Sequence, residues 1–178
     1  SVIKILPKAN FIISRAPQLS NGQMDQILSS AGWRLYNTVS TSDSVYSYEG
    51  TTGNQLSGEK PIAILSSRFG DLLMASDIII GLTGTANEQA VGLGKPVVNF
   101  PTNSTRFAWF LVEQQAKLLG SSLVAVHSRQ PQEIATKIAE TLNTSADIMK
   151  QRAKDGIERM GNGPGAAERI ARVIANQG

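Results

Sequence analysis

The sequence predicts an α/β protein: an open, mostly parallel, Rossmann-like sheet in three layers, with helices on both faces. Three observations predict it. Short apolar runs without polar alternation recur at Pro61 to Leu65, Ile78 to Ile80, Val97 to Phe100 and Leu123 to Val126, the pattern of strands buried on both faces. Segments of helical period separate them. The 178 residues, 41% hydrophobic and 17% charged, suit one such domain and lack the composition of a disordered chain.

Taken in order, Val2 to Leu6 reads as the tail of a helix with no strand before it. A doubly wound sheet opens with a strand and a glycine-rich turn, so the expectation is a piece of a longer protein that lacks its first strand. Phe11 to Ser14 reads as a strand. Ser20 with Gln23 three residues on forms a capping box for a helix that stops at Ala31-Gly32. Trp33 to Val39 reads as a strand. Ser40 to Lys60 is a polar loop with an aromatic hairpin around Tyr46 and Tyr48. After the Pro61 to Leu65 strand, Ser67 caps a short helix to Ala75, with Phe69, Leu72 and Leu73 at helical spacing.

Asp77 to Pro101 is the most informative stretch. Strand Ile78 to Ile80 breaks into a small-residue loop, Gly81 to Ala86. A helix from about Ala86 to Leu93, a Gly94-Lys95-Pro96 stop and strand Val97 to Phe100 follow. Helices are then expected over Thr105 to Leu119, from Pro131 as first-turn proline, over Ser145 to Arg159 and over Ala166 to Ala175, with a strand at Leu123 to Val126.

A strand, a small-residue loop and a helix N-terminus form an anion-binding arrangement, because first-turn N–H groups lack partners within the helix. Thr83, Gly84, Thr85 and Ala86 are the candidate diphosphate cradle: Gly84 admits the backbone to the ligand and the threonine hydroxyls donate. The plainer alternative is an ordinary turn with Thr85 as cap. Glu88 and Gln89, one turn in, can bond ribose hydroxyls, or Glu88 simply complements the helix dipole. Ser66 and Phe69, at the mouth of the preceding strand, can hold a base, or Phe69 is core. Asn103 and Arg106 follow a strand at its carboxyl end, where open sheets bind ligands, and can reach a sugar or phosphate; alternatively Ser104 caps a helix there. Arg15 on the same edge reads as a surface arginine, and His127 as a structural or exposed histidine.

Composition narrows the chemistry. The sequence has no cysteine and one histidine, which removes thiolate chemistry and His/Cys metal clusters. The charge of +3 is spread out, so no nucleic-acid partner is expected. No apolar run approaches the roughly 20 residues that span a bilayer, and no signal peptide is legible; a cytoplasmic protein, free or peripheral at a membrane, is the expectation. No catalytic constellation assembles, so binding is more legible than catalysis.

At these residues the chain resembles the C-terminal half of two-domain GT-B glycosyltransferases, and most nearly the lipid-A-disaccharide synthase-related proteins. The likeness rests on ASDIIIGLTGTANEQAVGLGKPVVNFP (Ala75 to Pro101), FLVEQQAKLLGSSL (Phe110 to Leu123) and RMGNGPGAAERIA (Arg159 to Ala171). It covers most of Phe11 to Ile174 and is weakest between Ser40 and Lys60. Strand–GTA–helix–GKP is shared with MurG-like transferases and UDP-N-acetylglucosamine 2-epimerases. The resemblance implies a UDP-sugar donor site without metal or other cofactor, with the diphosphate at Thr83 to Ala86 and the base near Ser66 to Phe69. It also implies an N-terminal GT-B domain as partner, which would carry the acceptor site and catalytic base, and a lipid or other acceptor. The family's ribose-binding acid lies seven residues before the proline of the stop; here that position is Gln89, an amide that bonds hydroxyls less strongly. The usual glutamine after the GKP strand is absent from Thr102 to Arg106. Two alternatives follow: a UDP-sugar epimerase-like enzyme, and a degenerate module that serves nucleotide binding or protein association without catalysis.

Overall fold

The computed structural model describes residues 6, 9–40, 45–50, 62–82, 84–103, 109–162 and 165–176. The chain is mixed α/β and divides into two compact units, Ser1–Ser76 and Asp77–Gly178.

The first unit holds β1 (Phe11–Ser14), α1 (Asn21–Ser30), β2 (Trp33–Ser40), β3 (Val45–Gly50), β4 (Ile62–Ser66) and α2 (Phe69–Ala75). Its sheet has the order β1-β4-β3-β2. β1 and β4 are parallel, with Phe11 opposite Ala63 and Ser14 opposite Ser66. β3 is antiparallel to both β2 and β4: where a polar loop with an aromatic hairpin was expected, a regular strand begins at Val45 and also pairs with β4. Tyr46 and Tyr48 lie on that one strand, between two neighbours. β2, at the end of the strand order, is exposed from Arg34 to Thr38, Leu35 and Tyr36 included. Arg34 donates through Nε to Glu49 across the β2–β3 pair at 2.9 Å.

The capping box of α1 forms as the sequence reads. Gln23 N donates to Ser20 Oγ at 3.2 Å, and Ser20 N to Gln23 Oε1 at 2.8 Å. Met24 and Leu28, one turn apart, pack with Tyr48 as the core of this unit, with Phe11, Ile13, Leu19, Trp33 and Tyr46 around them. Burial raises the Tyr48 phenol above its ordinary pKa, and the Asp25 carboxylate adds to the shift. α2 departs from expectation at its start. Its N-cap is Arg68, with no side-chain cap, and Ser67 accepts through its carbonyl from Phe69 N at 3.0 Å.

The second unit carries β5 (Ile79–Ile80), α3 (Thr85–Gly92), β6 (Val97–Asn99), α4 (Trp109–Leu119), a 3-10 turn (Gly120–Ser122), β7 (Leu123–Ala125), α5 (Pro131–Leu142), α6 (Ala146–Arg159) and α7 (Ala166–Ala175). The order is β5-β6-β7, all parallel, with Ile79 opposite Val97 and Val97 opposite Leu123. Parallel pairing is the expected arrangement for these apolar runs, and every β6 residue is buried. Ala90 and Val91 of α3, Val112 and Leu119 of α4, and Ala135 and Ile138 of α5 are buried with it.

Pro131 opens α5 as read, because its missing N–H is one that a first turn leaves unpaired anyway. α6 is tied to the 3-10 turn through Asp155, whose Oδ2 accepts from Ser121 N at 2.8 Å and Ser121 Oγ at 2.7 Å. Its Oδ1 accepts from Arg159 Nε at 2.8 Å. These bonds, those from Ser121 first, hold the Asp155 carboxyl down at about 2. α7 exposes Ile170, Val173 and Ile174. The expected helix tail before Leu6 and helix start at 104–108 lie outside the described residues.

Candidate functional site

The site is built on the carboxyl end of β5. Gly81 N donates to Val98 O at 3.1 Å, carrying the ladder one residue beyond the strand. The chain then turns into α3 through Gly84, the N-cap, at φ 108° and ψ −174°. That backbone region is open essentially only to glycine. No described side chain caps the helix, and Thr85 is its first helical residue rather than the cap. Gly84, Thr85 and Ala86 are exposed, and the first-turn amides, which have no acceptor within the helix, lie at the positive end of its dipole.

Thr85, Glu88 and Gln89 fall on one face of α3, since residues three and four apart are neighbours on a helix. Thr85 and Gln89 are exposed and Glu88 is partly so. A hydroxyl, a carboxylate and an amide thus stand beside the open helix end, a set that can bond a diphosphate and vicinal hydroxyls.

Behind this surface lies a buried amide cluster that the sequence reading missed. Asn87 and Asn99 are 1% and 0% exposed. Asn87 Nδ2 donates to Gln115 Oε1 at 2.7 Å, and Asn99 Nδ2 donates to the same oxygen at 3.2 Å. Gln115 Nε2 in turn donates to the Gly84 carbonyl at 3.2 Å. A Cβ on Gly81 would stand 1.8 Å from Asn87 Oδ1, so only a glycine leaves room for that side chain. Asn99 Oδ1 has no partner among the described residues. The signal was present: Gln115 occupies the apolar phase of α4, three residues after Val112 and four before Leu119, and Asn99 ends the Val-Val run of β6.

The other candidates are placed separately. Asn103 is exposed, past the end of β6 on the same carboxyl edge. Thr83 and Arg106 lie outside the described residues. Ser66 and Phe69 belong to the first unit. Ser66 is 1% exposed; its carbonyl accepts from Arg15 N at 2.9 Å and its hydroxyl from Arg68 N at 3.1 Å. The Phe69 N–H is bonded to Ser67 O, and its ring is partly exposed. Arg15 donates through Nη1 to the Leu19 carbonyl. His127 does have partners: its Nδ1 lies 3.3 Å from Glu113 Oε1, and its ring stacks on Trp109 at 5.8 Å and 6°. Two shallow hollows, about 470 Å³ beside Lys150 and Ile157 and about 400 Å³ beside His127 and Lys137, are lined by other residues of the second unit.

Comparison with protein families, curated proteins and solved structures finds no match. The chemistry of the site is therefore argued from its own residues. Among those described, no group of three or more His, Cys, Asp or Glu could hold a metal ion, and no helix is long and apolar enough to cross a membrane.

Proposed function

We propose that this chain is the nucleotide-sugar-binding domain of a glycosyltransferase related to lipid-A-disaccharide synthase, holding the diphosphate of a UDP-sugar at the start of α3. The observation that carries the reading is the open helix end: an N-cap glycine at φ 108°, no side-chain cap, and exposed Thr85 and Ala86. Two backbone amides there can donate to phosphate oxygens, each charge-assisted bond contributing about 1.5–3 kcal/mol before the cost of immobilising the ligand. Thr85 Oγ1 adds a third donor. Gln89 and Glu88, on the same helix face, bond the ribose hydroxyls, and Asn103 on the carboxyl edge reaches toward the sugar. The open, Rossmann-like layout of the GT-B fold belongs to this proposal.

In a complete enzyme the same amides favour departure of the diphosphate. Charge that accumulates on its oxygens as the anomeric C–O bond breaks is stabilised by donors already in place. The N-terminal domain supplies the base that takes the proton from a lipid or other acceptor, and the hexosyl group passes to that acceptor.

The chain alone is expected to bind weakly, with Kd on the order of 1 mM, equivalent to roughly −4 kcal/mol. Titration of the ¹⁵N-labelled protein with UDP and UDP-N-acetylglucosamine tests this. Shifts concentrated at Gly84, Thr85, Ala86 and Gln89 are expected, weakened by Gln89→Ala. Unperturbed amides at several millimolar ligand would remove the proposal.

A further inference from the structure

β7 ends the strand order β5-β6-β7, so its outer edge has no neighbouring strand in that sheet. Val126 N donates to Asn99 O at 2.8 Å, which fixes the alternation along the strand. Val124 and Val126 turn their backbone groups toward β6, and Ala125 turns its own away. Leu123 N is taken by Gly120 O in the 3-10 turn. Among the described residues, no backbone group bonds the Leu123 carbonyl or the N–H and carbonyl of Ala125, and Ala125 is partly exposed. β7 is short, but Val126 carries the ladder one residue further. It bears no charge, proline or register shift, devices that guard an open edge against pairing.

The hollow of about 400 Å³ runs beside this edge. Ala125 and His127 line it from the strand; Glu133, Thr136, Lys137 and Glu140, one face of α5 by their spacing, line it from the helix. We infer that this slot takes an extended basic peptide of another protein, which adds a strand to β7 and lays alternate side chains toward α5. The inference does not depend on the reading of α3. Charge selects the occupant. Lys137 is paired with Glu140 at 2.7 Å, so the lining sets two carboxylates against one ammonium. Glu113, 3.3 Å from His127 Nδ1, adds a further carboxylate where the strand ends. A second copy of this chain, pairing β7 edge to β7 edge, would bring these carboxylates against their own kind. A lysine at every other position of an incoming strand meets Glu133 instead. Backbone bonds to Leu123 and Ala125 supply affinity for any extended chain, and the carboxylates supply the preference.

The probe is the peptide acetyl-Lys-Val-Lys-Val-Lys-Val-amide, titrated into the ¹⁵N-labelled whole chain. Shifts led by Ala125 and slowed hydrogen exchange of its amide are expected. The glutamate counterpart, acetyl-Glu-Val-Glu-Val-Glu-Val-amide, should bind at least about tenfold more weakly, equivalent to about 1.4 kcal/mol. Two variants separate charge from strand pairing. Glu133→Lys should reverse the preference between the peptides. Ala125→Pro removes the outward N–H at a position where an edge strand accepts proline, and should weaken the lysine peptide at least about tenfold in protein shown folded by near-UV circular dichroism. Should that variant not fold, the lysine peptide N-methylated on every residue makes the same test from the other side, because it has no backbone hydrogen to give Leu123 or Ala125. An unmoved Ala125 amide at several millimolar lysine peptide overturns the inference. So do undiminished binding of the N-methylated peptide and an unreversed preference in Glu133→Lys. Ala125 shifts that appear on concentrating the chain alone would also overturn it, by assigning the edge to a second copy.

Discussion

A methyl group added at Gly81 would stand 1.8 Å from Asn87 Oδ1, whereas one added at Gly84 would meet nothing within 4 Å. The two glycines of this loop are therefore required for different reasons. Gly84→Ala strains only the backbone, at φ 108°, for about 1–3 kcal/mol. Gly81→Ala collides with a side chain that cannot move aside, because Asn87 is buried and bonded to Gln115; overpacking of this kind costs about 1–3 kcal/mol. Urea denaturation distinguishes the two. Gly81→Ala combined with Asn87→Ala should cost clearly less than the sum of the single changes, since the second substitution removes the clash. Gly84→Ala and Asn87→Ala should show no such relief. Strict additivity in the first pair would disprove the close approach.

At this scale the sequence spoke clearly about backbone chemistry and poorly about side-chain direction. The small residues of Gly81 to Ala86 announced a turn before a helix. Whether Thr85 or Gly84 caps α3 depends on one backbone angle that no periodicity encodes. Asn87 drew no reading, because its partner, Gln115, is 28 positions away.

Among the elements, helices with strong local signals were placed within a residue or two: α1 by its capping box and α5 by Pro131. The strand at Val45–Gly50 was read only as an aromatic hairpin within a loop, because its polar neighbours resemble a loop and its second partner, β4, is distant in sequence. The Trp109–His127–Glu113 contact was equally invisible, since it joins the first turns of α4 to the end of β7.

One pH-dependent contact belongs to this scale. Asp155, on α6, holds the 3-10 turn before β7 through Ser121, and its pKa falls from 3.8 to about 2. A carboxyl with a depressed folded pKa stabilises the fold above its unfolded pKa and loses that contribution as pH falls through the folded value. The gain is therefore complete above about pH 4 and disappears toward pH 2. Asp155→Asn should unfold at lower urea than the parent at pH 6, with the difference shrinking as pH drops between 4 and 2. A difference that stays constant across that window would show that the Ser121 and Arg159 bonds do not depend on the carboxylate charge.

For the molecule as a whole, each unit has its own buried cluster. One is centred on Met24, Leu28 and Tyr48, the other on Val91, Val97, Val98, Val112 and Leu119. Leu28→Ala removes a residue that is 6% exposed, and a deletion of that size costs about 2–5 kcal/mol. The loss should fall on its own cluster. Hydrogen exchange should accelerate in α1 and β3 and stay slow in β6, where all three residues are buried. Equal acceleration in β6 would mean that the two clusters unfold as one. The α/β class and the parallel set β5-β6-β7 followed from apolar runs alone. The mixed sheet of the first unit did not, because strand direction is set by connections and pairing rather than by composition.

The amide cluster also constrains how this protein can vary over evolutionary time. Changing Gln115 alone strands two asparagine amides in the interior, whereas replacing the polar side chains together with apolar groups of matched shape can be nearly neutral. Positions 87, 99 and 115 should therefore covary among descendants of a common ancestor, polar as a set or apolar as a set. Lineages that have gone apolar should be the ones in which glycine at 84 is no longer retained.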